Sequence, residues 1–111
     1  MIVAARTLSV MAGEALISHD VLASYAADAA REVPGVRGLV DGHLPGRRAV
    51  RIAEADGRVT VELHVDVEWG VSIPDVGHDV QGRVADYLAR MADVRPAAVD
   101  VVVDDGGPRE A

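Results

Sequence analysis

Between residues 59 and 69 the chain alternates strictly between apolar and polar side chains. Val59, Val61, Leu63, Val65, Val67 and Trp69 take one side, and Thr60, Glu62, His64, Asp66 and Glu68 take the other. A period of two puts successive side chains on opposite faces of a strand, so this predicts one long strand with a buried and a wet face. Val50 to Ala55 precedes it, separated by Asp56-Gly57, the pair preferred in two-residue type I′ hairpin turns. With those two residues as the loop, Ala55 opposes Arg58, Ile52 opposes Val61 and Val50 opposes Leu63. On the other face Arg51 opposes Glu62, a cross-strand ion pair. A slip of one residue would turn every one of these side chains to the wrong face, so the register is well determined.

Two stretches switch to helical spacing. Leu22, Tyr25, Ala26, Ala29 and Val33 follow Ser18, a good N-cap, with Asp20 in the first turn; Pro34-Gly35 ends the helix. Its apolar face is mostly alanine, which lets a helix lie close to a sheet. Ile73, Val76, Val80, Val84, Leu88 and Met91, with Tyr87 alongside, predict a second helix. Gly70 breaks the strand before it, Ser72 caps it, and Pro74 sits in the first turn, where proline is tolerated. Asp79–Arg83 and Asp86–Arg90 are spaced as i,i+4 pairs on its wet side. Val36 to Val40 reads as a weak strand and Val99 to Val103 as a last one. Asp41 to Arg48 is a loop by composition.

These elements predict an α+β fold of two layers, two helices on one face of a small mixed β-sheet with a central hairpin. The domain spans 13–104, after an N-terminal extension (1–12) and before a disordered tail (105–111). With 111 residues, half of them hydrophobic, the chain has room for one domain and is too apolar for disorder. No apolar run approaches the roughly 20 residues of a spanning helix, and Arg6 interrupts the apolar start, so a cytoplasmic protein is expected.

Composition removes several function classes. The sequence has no lysine and no cysteine, which excludes lysine Schiff bases, P-loop lysines, thiol nucleophiles, thiolate metal sites and disulfides. A formal net charge of −7 argues against nucleic acid, which is bound by clustered cations. Arg37, Arg47, Arg48, Arg51 and Arg58 could form a basic patch near the hairpin. Stacking aromatics are too few to make it a nucleic-acid surface, and solubility together with pairing to Glu62 or Asp66 accounts for most of these arginines.

No catalytic constellation stands out. Ser18-His19-Asp20 has triad residue types, but consecutive residues at a helix start point in different directions. Histidines 19, 43, 64 and 78 fit no metal-ligand spacing. The best cluster is Glu62, His64, Asp66 and Glu68, successive members roughly 6.6 Å apart along one strand face. That strip is a solvated face first, an electrostatic docking surface second, and a metal or ligand site only as the alternative. Arg51 and Val102 join it as a candidate interaction surface, because Val102 puts an apolar residue on a face that should be polar. The expected assignment is no enzyme, no cofactor and no metal.

Three blocks carry a resemblance to the alkaline shock protein family, the Gls-type envelope stress response family. They are Ile17-Ser-His-Asp-Val21 with Ala30-Arg-Glu-Val-Pro-Gly-Val36; Val61-Glu-Leu-His-Val-Asp-Val-Glu-Trp-Gly70 with Ile73-Pro-Asp-Val76; and Val80-Gln81, Val84, Met91 and Val99-Asp-Val101. Departures from the family pattern are Ala92-Asp93 for Thr-Gly, Asp100 for Asn and Trp69 for Tyr. The resemblance implies a small cytoplasmic protein without catalytic residues. It also implies a self-associating scaffold or adaptor that gathers at the inner membrane face through a membrane-anchored partner, without inserting itself.

Overall fold

A computed structural model describes residues 18–40 and 48–105. The N-terminal extension, the loop positions 41–47, which include His43 and Arg47, and the tail beyond Asp105 lie outside the described residues. Helix α1 (His19–Arg31) starts where Ser18 Oγ accepts the Val21 N–H at 3.2 Å. It stops before Pro34-Gly35, where the chain turns into β1 (Val36–Leu39). Gly35 has φ +97°, and a Cβ there would lie 3.0 Å from Val76 Cγ2, so both conformation and space call for glycine.

Strands β2 (Val50–Ala55) and β3 (Arg58–Val67) form the hairpin in the predicted register, Val50 opposite Leu63 through Ala55 opposite Arg58. Asp56 and Gly57 both have positive φ, 53° and 76°, as a type I′ turn requires. β1 also pairs antiparallel with β3, Val36 opposite Val67 and Leu39 opposite Val65. β4 (Ala98–Asp105) pairs with β3 in parallel from Thr60–Ala98 to Val67–Asp105. Because β4 covers residues 60–67 along one edge of β3, β1 and β2 must share the other, end to end. His64 marks their junction: its carbonyl accepts the Val40 N–H at 2.9 Å and its N–H donates to Ala49 O at 2.8 Å. The sheet is therefore mixed and three strands wide, and the hairpin supplies its central strand, β3.

Helix α2 (Ile73–Ala92) makes the crossover that a parallel partner requires. Ser72 Oγ accepts the Asp75 N–H at 3.4 Å, and Pro74 occupies the first turn as expected. The helix ends at Asp93 in the left-handed region, φ 56°, the position where the related pattern has glycine. Both helices lie on one face of the sheet. Val61, Leu63, Val65 and Val67 are fully buried there against Leu22, Ala26, Ala29 and Ala30 of α1 and Val76, Val80, Val84 and Leu88 of α2. Each of the valine and leucine side chains contributes roughly 1.5–3 kcal/mol of burial. Among the described residues no polar side chain is buried in that core.

Three expectations need correction. β3 ends at Val67, not Trp69: its described partners stop there, β1 beginning at Val36 opposite Val67 and β4 reaching Asp105 opposite the same residue. Trp69 is consequently 69% exposed rather than inward. Arg83 turns away from Asp79 to Glu32 of the α1 terminus at 3.3 Å, whereas Asp86–Arg90 holds at 3.0 Å. β4 runs to Asp105, one residue into the stretch read as tail.

Candidate functional site

The face of the sheet away from the helices gathers the predicted strip. Strand alternation places Glu62, His64 and Asp66 side by side along β3. The register then sets Arg51 and Asp100 on either side of Glu62, and Val102 beside His64. Glu62 Oε2 is 2.7 Å from His64 Nε2, and its Oε1 is 3.7 Å from Arg51 Nη1. Asp66 Oδ2 is 3.3 Å from Arg37 Nε on the neighbouring strand. The first is the cross-strand pair that the hairpin register predicts; the second uses Asp66, an acid the sequence offered to the arginines without saying to which.

The strip is drier than an amphipathic strand in open water. The side chains of His64 and Asp66 are each only 23% exposed. Asp66 Oδ1 is buried and has no hydrogen-bond partner among the described residues. A carboxylate oxygen in that condition loses hydration without replacing it, and the neighbouring Arg37 offsets part of the cost. Glu68 lies past the end of β3 and is exposed, so it does not join the other three.

Chemically, the strip is divided into pairs. Among the described residues no group of three or more His, Cys, Asp or Glu side chains converges to hold a metal ion. Glu62 is engaged with His64 and Arg51, and Asp66 with Arg37. Of the other singled-out residues, His19 lies 3.2 Å from Glu54 of β2, far from a serine–acid constellation. Val102 is 45% exposed, as its place on the polar face implied.

One feature escaped the sequence reading. Trp69, Ile73 and Pro74 form an exposed apolar corner where β3 turns into α2, with Gly70 at φ +93° inside the turn.

Three comparisons bear on function. The alkaline shock protein 23 family, described as having a cell envelope-related function, matches residues 8–105. An uncharacterized protein of Streptococcus pyogenes serotype M6, Spy1535, is 30% identical over 100 residues, 83% of this chain and 78% of that protein. Among solved structures, a MamM CTD fragment superposes with TM-score 0.54 at 16% identity, covering 78% of this chain and 98% of the fragment. A nickel form of a MamM CTD variant gives 0.52 at 16% identity, covering 77% and 95%. At such identities the likeness is one of fold.

Proposed function

This chain belongs to the alkaline shock protein 23 family, whose function is cell envelope-related, and we propose that it serves there as a non-enzymatic, self-associating scaffold or adaptor. In this reading it works on the cytoplasmic side and reaches the membrane through an anchored protein partner. The observation that carries the reading is the family match over residues 8–105, which takes in every described element. Two physical facts support it. No helix among the described residues is long and apolar enough to cross a membrane, and a net charge of −7 opposes direct contact with anionic lipid. The far edge of β4 has no strand partner among the described residues, and an edge eight residues long invites addition of another strand.

Self-association through that edge is the nearest test. A closed symmetric dimer is the commonest product of such an edge, and like charge makes it strengthen as salt is raised. Light scattering over a concentration series at two salt levels should show a mass above the monomer, lowered in Val102→Asp. A monomeric mass throughout would overturn the scaffold reading. For the envelope role, a fluorescent fusion in the native cell should gather at the periphery, and a uniformly diffuse signal would oppose it.

The alternative, a metal or ligand site on the Glu62/His64/Asp66/Glu68 strip, draws on the metal-bound forms named for the MamM CTD structures. The pairing of Glu62 and Asp66 with arginines disfavours it here. Micromolar binding of Zn²⁺, Mn²⁺ or Mg²⁺ by calorimetry, lost in His64→Ala, would restore it.

A further inference from the structure

We propose that the exposed corner formed by Trp69, Ile73 and Pro74 is a docking point for a basic, apolar-studded peptide segment, anchored on Trp69. Trp69 is the sole tryptophan of the chain and, among the described residues, the most exposed large apolar side chain, 69% accessible, while Ile73 is 39% accessible. Tryptophan is enriched among the residues that dominate protein–protein binding energy, and Trp69 takes no part in the core cluster. The turn that presents it is firmly held. The Glu68 N–H donates to Gly35 O at 2.8 Å, the Val71 N–H donates to Glu68 O at 3.4 Å, and Val71 and Val76 pack against Gly35. A rigid turn offers an indole at little entropic cost to binding.

Charge selects the occupant. Glu68 precedes Trp69 in sequence and Asp75 lies in the first turn of α2, both exposed and neither in an ion pair among the described residues. The register brings the positions of Asp104 and Asp105 beside Asp66 and Val67 at the same end of the sheet. Among the described residues Arg37 and Arg83 are held by Asp66 and Glu32. The positive end of α2 would repel a cation, but Ser72 Oγ caps it and Asp75 counters it. An exposed indole with exposed, unpaired acids close to it in sequence suits a guanidinium or ammonium group, which can stack on the ring while the acids neutralise it. Anionic lipid is disfavoured by the same charges.

The inference rests on the adaptor reading only for the source of the peptide. The cytoplasmic flanks of membrane-spanning helices are enriched in Lys and Arg, so the flank of an anchored partner has the required chemistry.

The test uses the full chain and a fluorescein-labelled peptide, Arg-Arg-Leu-Arg-Arg-Leu-Arg. Because Trp69 is the single indole, a blue shift of intrinsic emission on adding unlabelled peptide reports burial of this corner alone. Peptide anisotropy should show saturable binding weakened about tenfold in Trp69→Ala and several-fold in Glu68→Lys and Asp75→Lys, with Gly82→Ala, where an added Cβ meets nothing, as the neutral control. Unchanged affinity in Trp69→Ala, or an equal blue shift with Glu-Glu-Leu-Glu-Glu-Leu-Glu or with phosphatidylglycerol vesicles, would overturn the proposal. Trp69 lies outside the core cluster, so circular dichroism of the variant should match the parent. A diffuse fusion in cells with peptide affinity intact would remove the adaptor reading and leave the docking point standing. A peripheral fusion with Trp69→Ala binding unchanged would do the reverse.

Discussion

The two faces of β3 are built from alternate residues of one strand and meet opposite fates. On the helix side Val61, Leu63, Val65 and Val67 are sealed by eight side chains of two helices. On the other side Glu62, His64 and Asp66 are half-buried, Glu62 in contact with His64 and with Arg51 of the neighbouring strand, and Asp66 with Arg37. Stability resides on the first face, since buried apolar groups contribute kilocalories each whereas half-exposed ion pairs contribute about 0–1 kcal/mol. The second face and the strand ends are therefore free to serve recognition without endangering the fold.

The most forceful way to break this contrast is to open the sealed face. Leu63→Ala removes a fully buried side chain at the centre of the central strand, below both helices. It should destabilise by about 2–5 kcal/mol, read from the midpoint of urea unfolding at unchanged slope. A loss below about 1 kcal/mol would mean that the face is not sealed as described.

The sealed face was legible because it rests on local rules. Alternation, the Asp56-Gly57 turn and the Ser18 and Ser72 caps each involve residues within a few positions of one another, and each behaves as those rules demand. What escaped depends on partners distant in sequence. Trp69 continues the alternation perfectly, yet β3 ends two residues before it, at Val67, which faces Val36 of β1 and Asp105 of β4, both distant in sequence. Arg83 has a suitable partner one helical turn back in Asp79, but the packing of α2 against α1 offers Glu32 instead. The pairing of Asp66 with Arg37 on an adjacent strand likewise needs the β1–β3 register, which spacing alone does not reveal. The paired character of the strip was half legible: the hairpin register gave Arg51–Glu62, while the use of Glu62 by His64 needed three dimensions.

A milder probe carries the contrast onto α2, whose Val80, Val84 and Leu88 are buried while Gly82 is exposed. A Cβ at Gly82 would meet no atom within 4 Å. If that side of the helix is free of obligations, Gly82→Ala should stabilise the protein by about 0.5–1 kcal/mol through lower backbone entropy in the unfolded chain. Thermal unfolding would register this as a rise of several degrees. A fall in stability would show that the open side is covered by something the bare domain does not display.

The smallest effect is expected at Arg51–Glu62, and its smallness is the sharpest statement about the paired face. The two groups are 3.7 Å apart, with side chains 53% and 34% exposed, so water screens much of their attraction. Glu62 also has His64 at 2.7 Å, so loss of Arg51 leaves the carboxylate engaged. A double-mutant cycle of Arg51→Ala and Glu62→Gln should therefore give a coupling of about 0.2–1 kcal/mol, shrinking further in high salt. A salt-independent coupling of about 2 kcal/mol or more would place the pair in a dry environment. The outer face would then be a second core in its own right, and the division of labour across β3 would fall.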